Sequence, residues 1–147
     1  MQRLKIVSRV RSLTRDFTNS IFRETDIVDF INEAIDRFRQ VIPQLKDIEY
    51  LLTTTSEPSM IPEQYQHLLA VYAAARCFSQ DERHYQATTL MNEFEVKLEE
   101  MRSLVESGQI VIVDPTTGEA IEDEYVMDYV DLKPYWGRPI VDDEGVF

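Results

Sequence analysis

No glycine occurs among the first 107 residues; all four (Gly108, Gly118, Gly137 and Gly145) fall in the last 40. Glycine is the residue that most freely adopts positive φ, so so long a stretch without it has few places for tight, irregular turns and suits helices joined by short connections. It also leaves no room there for a glycine-rich phosphate loop. The boundary is therefore placed near Gly108, between a helical body over 1–107 and a different kind of chain over 108–147.

Apolar spacing within the body predicts four helices. The first carries Ile6, Val10, Leu13 and Phe17 on one face. The second is expected after Thr25, a good N-cap followed by Asp26, with the stripe Ile27, Phe30, Ile31, Ala34, Phe38 and Val41. Pro43 ends it, because residue 42 is pushed out of the α region. Ile48 to Thr54 reads as a short extended stretch, broken by Ser56, Pro58 and Ser59. Pro62 suits the first position of a third helix with Tyr65, Leu68, Leu69, Tyr72 and Ala73, where Ala70, Ala74 and Ala75 let another backbone approach. Asp81 is expected to cap the fourth and clearest helix, whose stripe is Ala87, Leu90, Met91, Phe94, Leu98, Met101 and Val105. Glu93 and Lys97 stand in the favourable i,i+4 order on its polar face, and Ser107-Gly108 closes it.

At 147 residues, 44% hydrophobic and 29% charged, the chain can bury one core beneath a soluble surface. No run approaches the roughly 20 apolar residues of a bilayer span, and the first residues lack the apolar stretch of a signal peptide, so synthesis in a cytoplasm is expected. The net charge of −12 is unevenly spread. Residues 1–23 hold six basic side chains against Asp16, residues 24–107 hold 7 against 16 acids, and residues 108–147 hold only Lys133 and Arg138 against 10 acids. Gripping nucleic acid requires Lys and Arg to neutralise phosphates, and most of this chain would repel them.

Beyond Gly108, Ile110 to Val113 reads as a strand, Asp114-Pro115-Thr116-Thr117-Gly118 as a turn, and Glu119 to Glu124 as a candidate return strand. After it, Tyr125, Val126, Tyr129, Val130, Leu132, Tyr135 and Trp136 are scattered among acids and prolines. These are large anchors without enough continuous apolar pattern to form a core. Tyr125, Val126, Tyr129, Leu132, Tyr135 and Trp136 are therefore the candidate partner-binding residues.

Chemistry-bearing patterns are sparse. His67 and His84 stand 17 residues apart on different expected helices and read as surface or core-edge residues. Cys77, beside Ala73, Ala74, Ala75 and Phe78, reads as a small buried side chain. The 114–118 segment lacks the alternating oxygen ligands of an EF-hand, so turn is the better reading. Glu99-Glu100 and Asp142-Asp143-Glu144 have no apolar setting and read as solvated faces. No catalytic residue, metal site or cofactor is expected, and the chain reads as an assembly protein rather than an enzyme.

The order of landmarks resembles a known family. It runs from a basic first helix to Thr25-Asp26-Ile27-Val28-Asp29-Phe30-Ile31-Asn32-Glu33-Ala34 and the extended Tyr50-Leu51-Leu52-Thr53-Thr54. Then come Ile61-Pro62-Glu63-Gln64-Tyr65-Gln66-His67-Leu68-Leu69, the alanine-rich Ala73-Ala74-Ala75-Arg76-Cys77-Phe78, and a long helix around Phe94-Glu95-Val96-Lys97-Leu98. Over about residues 3–107 this is similar to the head-to-tail connector or adaptor family of tailed bacteriophages. The acidic tail departs from the family's shorter members. The resemblance implies a small antiparallel helical bundle whose terminal arm reaches onto the portal; with the hairpin read above, the expected fold is mainly α, about four helices with a short β-hairpin and an extended C-terminal arm. It further implies a structural virion protein in the neck between head and tail. Such a protein forms a homo-oligomeric, usually dodecameric ring beneath the portal protein and seats tail or nozzle proteins. DNA would pass through the ring without specific binding, and no membrane is involved. Two other readings stand beside it: an acidic regulatory or inhibitor protein that binds a basic partner, and a DNA-binding regulator using the basic first helix.

Overall fold

Alanine sets the centre of the molecule. In the computed structural model, which describes residues 1–18 and 20–121, Ala70, Ala73, Ala74 and Ala75 lie fully or almost fully buried on one helix. Their small side chains let three other helices close around it. The described residues are mainly helical: α1 is Arg3–Thr14, α2 is Glu24–Val41, α3 is Leu68–Gln80 and α4 is His84–Glu106. Short 3₁₀ turns occupy Pro43–Leu45 and Glu63–Tyr65. α3 is the central helix, packed on α1, α2 and α4, with nine of its residues buried.

The core follows the expected stripes of α2 and α4. Ile27, Ile31, Ala34 and Phe38 meet Phe94, Leu98, Met101 and Val105 in one continuous cluster. At its middle, Phe94 packs edge-on against Phe38, with centroids 6.0 Å apart, and against Tyr72 at 5.0 Å. A bidentate ion pair from Arg37 to Glu95, at 2.9 and 3.1 Å, joins α2 to α4 over this cluster. Pro43 ends α2 as expected: Ile42 leaves the helical region at φ −116° and ψ 103°.

Successive helices run in opposite senses. The first N–H groups of α1 are satisfied by carbonyls of the 54–56 loop (Leu4 to Thr54, 3.1 Å; Arg3 to Ser56, 2.9 Å). That loop lies near the start of α3, where the Gln66 amide donates to Pro58 and Ile61. At the other end Arg11 reaches the Phe22 carbonyl, and Ile21, Phe22 and Asp26 line a depression with Gln80 and Asp81. The Tyr65 hydroxyl donates to Glu100, which sets the start of α3 beside the late turns of α4. The molecule therefore has two ends. One carries the 47–66 loops and the residues after α4; the other carries the α1–α2 and α3–α4 connections.

Several local expectations are corrected. α1 stops at Thr14, which leaves Phe17 73% exposed, outside the core, and Leu13 in its last turn is exposed as well. Val7 and Thr14 take the buried positions instead. α2 begins at Glu24, one residue before Thr25, and neither α2 nor α4 has a side-chain N-cap bond. Pro62 precedes the 3₁₀ turn, and α3 proper starts at Leu68. Asp81 follows the end of α3 and does not cap α4, which begins at His84 after Glu82 takes φ 60°. Lys97 pairs with Glu100 at 3.3 Å rather than with Glu93. Residues 48–54 form no strand; their role is to supply carbonyls and packing to α1 and α2.

The expected β-hairpin is not shown, and residues 122–124 of its return strand lie outside the described residues. Among the described residues there is only one antiparallel bridge, Val113 with Ala120, closed by Asp114 N–H to the Glu119 carbonyl (2.9 Å) and Ile121 N–H to the Ile112 carbonyl (2.8 Å). Pro115 has no N–H to extend a ladder, and an Asp114 side-chain bond to the Thr116 N–H commits the segment to a turn. Gly108 and Gly118 do take positive φ, 82° and 74°, as the helix end and the turn require. Ile112 is buried in the same core as the helices, with Ile110 and Ile121 packed against it, so the core continues past Gly108.

Candidate interaction site

The end of α1 is fixed by a buried carboxylate. Arg15 takes the left-handed conformation, and Asp16, 1% exposed, turns inward. Its oxygens accept from the backbone N–H groups of Ser20 (3.0 Å), Ile21 (3.2 Å) and Phe22 (3.0 Å) and from Arg11 (2.8 Å). Burial alone would raise its pKa, but the N–H donors of Phe22, Ile21 and Ser20, together with Arg11, outweigh burial and hold the carboxyl below its ordinary value of 3.8. A lowered pKa means that the ionised carboxylate stabilises the fold above about 3.8 and that this contribution disappears as the pH falls through the folded value. Asp16→Asn should therefore lower the melting midpoint by several degrees at neutral pH. In a melting series against pH, its gap from the parent should narrow on the acid side; a constant gap would assign the effect to shape rather than charge.

This knot leaves apolar side chains outside. Leu13 of α1, Phe78 and Leu90 line a groove of about 490 Å³ with Tyr85, which is 83% exposed. Its basic groups are Arg15 and Arg83, and no acid stands among the described lining residues. Arg83 is shared with Asp81 at 3.0 Å and lies near the Phe78 ring, whereas Arg15 has no ion pair among the described residues. Phe17 and Ile21 add exposed apolar surface on the nearby α1–α2 connection.

The groove at the opposite end has the reverse charge. A groove of about 440 Å³ runs between residues 47–60 and the 114–121 turn. It is lined by Asp47, Glu49, Glu57 and Asp114, with no Lys or Arg among the described lining residues. Tyr50 is pinned at its edge: its hydroxyl donates to Asp36 at 2.6 Å, and Arg39 lies 4.4 Å over its ring while donating to the Ile48 carbonyl. Leu52 projects beside it, 76% exposed. α4 extends from the basic groove toward this end, and its 23 residues span about 34 Å at the usual rise per residue.

No family model matches this chain, and neither a curated protein nor a solved structure matches it. The six candidate partner-binding residues, Tyr125, Val126, Tyr129, Leu132, Tyr135 and Trp136, lie outside the described residues.

The residues singled out for chemistry are dispersed. His67 is half-buried just before α3 and His84 is exposed at the start of α4, so the two sit at opposite ends of α3. Cys77 is fully buried on α3, and burial pushes its thiol up to about 12, which keeps it protonated at neutral pH. Among the described residues no group of three His, Cys, Asp or Glu side chains is placed to hold a metal ion. No described helix is long and apolar enough to cross a membrane. The basic groove was not visible in the sequence, since residues 13–15, 78–83 and 85–90 meet only once α1, α3 and α4 are packed.

Proposed function

We propose that the chain is a structural virion protein: a head-to-tail adaptor that forms a ring under the portal, extends the DNA channel and seats the tail. In this reading it is a small antiparallel helical bundle with an extended C-terminal arm, working in the neck of the virion. The observation that carries the assembly part is the opposite charge of the grooves at the two ends. One groove is lined by four carboxylates, the other is apolar and edged by Arg15 and Arg83. Unlike patches on opposite ends favour head-to-tail contact between copies, and such heterologous contacts close into rings when the rotation allows. Portal docking and the neck location rest on the resemblance over residues 3–107.

The charge supports a conduit rather than a DNA clamp. A net charge of −12 gives passing DNA few sites to adhere to. Exposed apolar side chains at both ends, Phe17 and Tyr85 at one and Leu52 at the other, favour an assembling subunit over a free-standing acidic inhibitor. Size-exclusion chromatography with and without portal rings, beside a DNA-binding titration, tests the reading. A self-assembling species that shifts to the portal fraction and ignores DNA is expected. A lasting monomer that binds a basic protein, or tight salt-sensitive DNA binding, points to one of the other two readings.

A further inference from the structure

We infer that the basic, apolar groove formed by α1, α3 and α4 receives the acidic aromatic segment 122–136 of a second copy of this chain. The groove has what that segment requires. Leu13, Phe78, Tyr85 and Leu90 supply apolar walls, Arg15 supplies a positive charge with no ion pair among the described residues, and Arg83, shared with Asp81, lies beside it. The segment holds Glu122, Asp123, Glu124, Asp128 and Asp131 against Lys133 alone, interleaved with Tyr125, Tyr129, Tyr135 and Trp136. Large aromatic anchors beside carboxylates are suited to an apolar pocket edged with arginine, since rings fill the pocket and charges select it.

The starting point of the segment selects a neighbour over the segment's own body. Ile121, the residue before it, lines the acidic groove, where Asp47, Glu49, Glu57 and Asp114 repel an acidic chain. The body's own basic groove lies at the far end, about 34 Å along α4. In the head-to-tail contact of the proposed function, on which this inference rests, the neighbour's basic end meets that acidic end directly. Fifteen residues extend at most about 50 Å; the neighbour's groove needs little of that length, whereas the body's own would take up about 34 Å of it before any docking.

Trp136 is the chain's one tryptophan, so emission excited selectively at tryptophan, outside the tyrosine absorption band, reports on this segment alone. Its emission should be blue-shifted at concentrations where sedimentation velocity shows self-association, and should revert on dilution. The double variant Arg15→Glu/Arg83→Glu should keep its circular dichroism and melt but need about tenfold higher concentration for the same shift, as expected from two exposed charges at roughly 0.5–1 kcal/mol each. Mixing decides between neighbours and self. Trp136→Ala, with its groove intact, is added to the double variant, which alone supplies tryptophan. A restored blue shift supports docking between copies. A blue shift that neither dilutes away nor depends on mixing means that the segment docks on its own body and overturns the inference. An unshifted emission in a self-associated sample also overturns it while leaving the adaptor reading in place. Co-sedimentation with portal rings, run alongside, separates the two: docking of Trp136 without portal binding removes the adaptor reading and keeps this one.

Discussion

Phe94→Ala is expected to remove about 3–5 kcal/mol of stability, the usual cost of truncating a buried aromatic residue. Phe94 is fully buried where α2, α3 and α4 meet, edge-on to both Phe38 and Tyr72. Neither ring can collapse freely into the space, because each is tethered. Phe38 is fully buried on α2, and the Tyr72 hydroxyl donates to Glu33 at 3.2 Å. Chemical denaturation followed by circular dichroism measures the loss as a lower midpoint. A change below about 1 kcal/mol would mean that the site relaxes around the cavity and that the three-helix junction is less tightly packed than these contacts require.

Ala74→Leu probes the same core from the opposite direction. Ala74 is fully buried, on the helix that the other three surround. Three added carbons there must displace a neighbouring helix or an off-rotamer side chain, at about 1–3 kcal/mol. Ala74→Gly, which removes bulk and adds backbone freedom, should cost about 1 kcal/mol by propensity alone. A leucine variant as stable as the parent would show that α3 does not hold the central position.

What could be read from the sequence divides along physical lines. The α2 and α4 stripes were legible because apolar period and burial coincide over many turns, and Pro43 and Gly108 marked ends through their own backbone restrictions. Phe17 misled, since it continues the period of Ile6 and Val10 past the point where Arg15 leaves the helix, and Leu13, in the last turn of α1, borders the groove rather than the core. What stops α1 is Asp16, whose partners Ser20, Ile21 and Phe22 come later in the chain, so no helical period could show it. The Ile110 strand failed as a strand for a similar reason. Ile112 is buried and Ile110 packs against the same core, but pairing stops at one bridge, because the chain turns at Asp114 and Pro115 has no N–H to extend a ladder. Charge asymmetry was visible as a total, but its division between two ends required the helix directions.

The adaptor reading is tested most directly by sedimenting the full chain with purified portal rings through a density gradient and viewing the peak fraction by negative-stain electron microscopy. The account predicts that the chain leaves the low-mass fractions, travels with the portal in a fixed ratio and adds a ring-shaped layer to one face of it. A chain that stays at monomer mass at every concentration, and never enters the portal fraction, would contradict it.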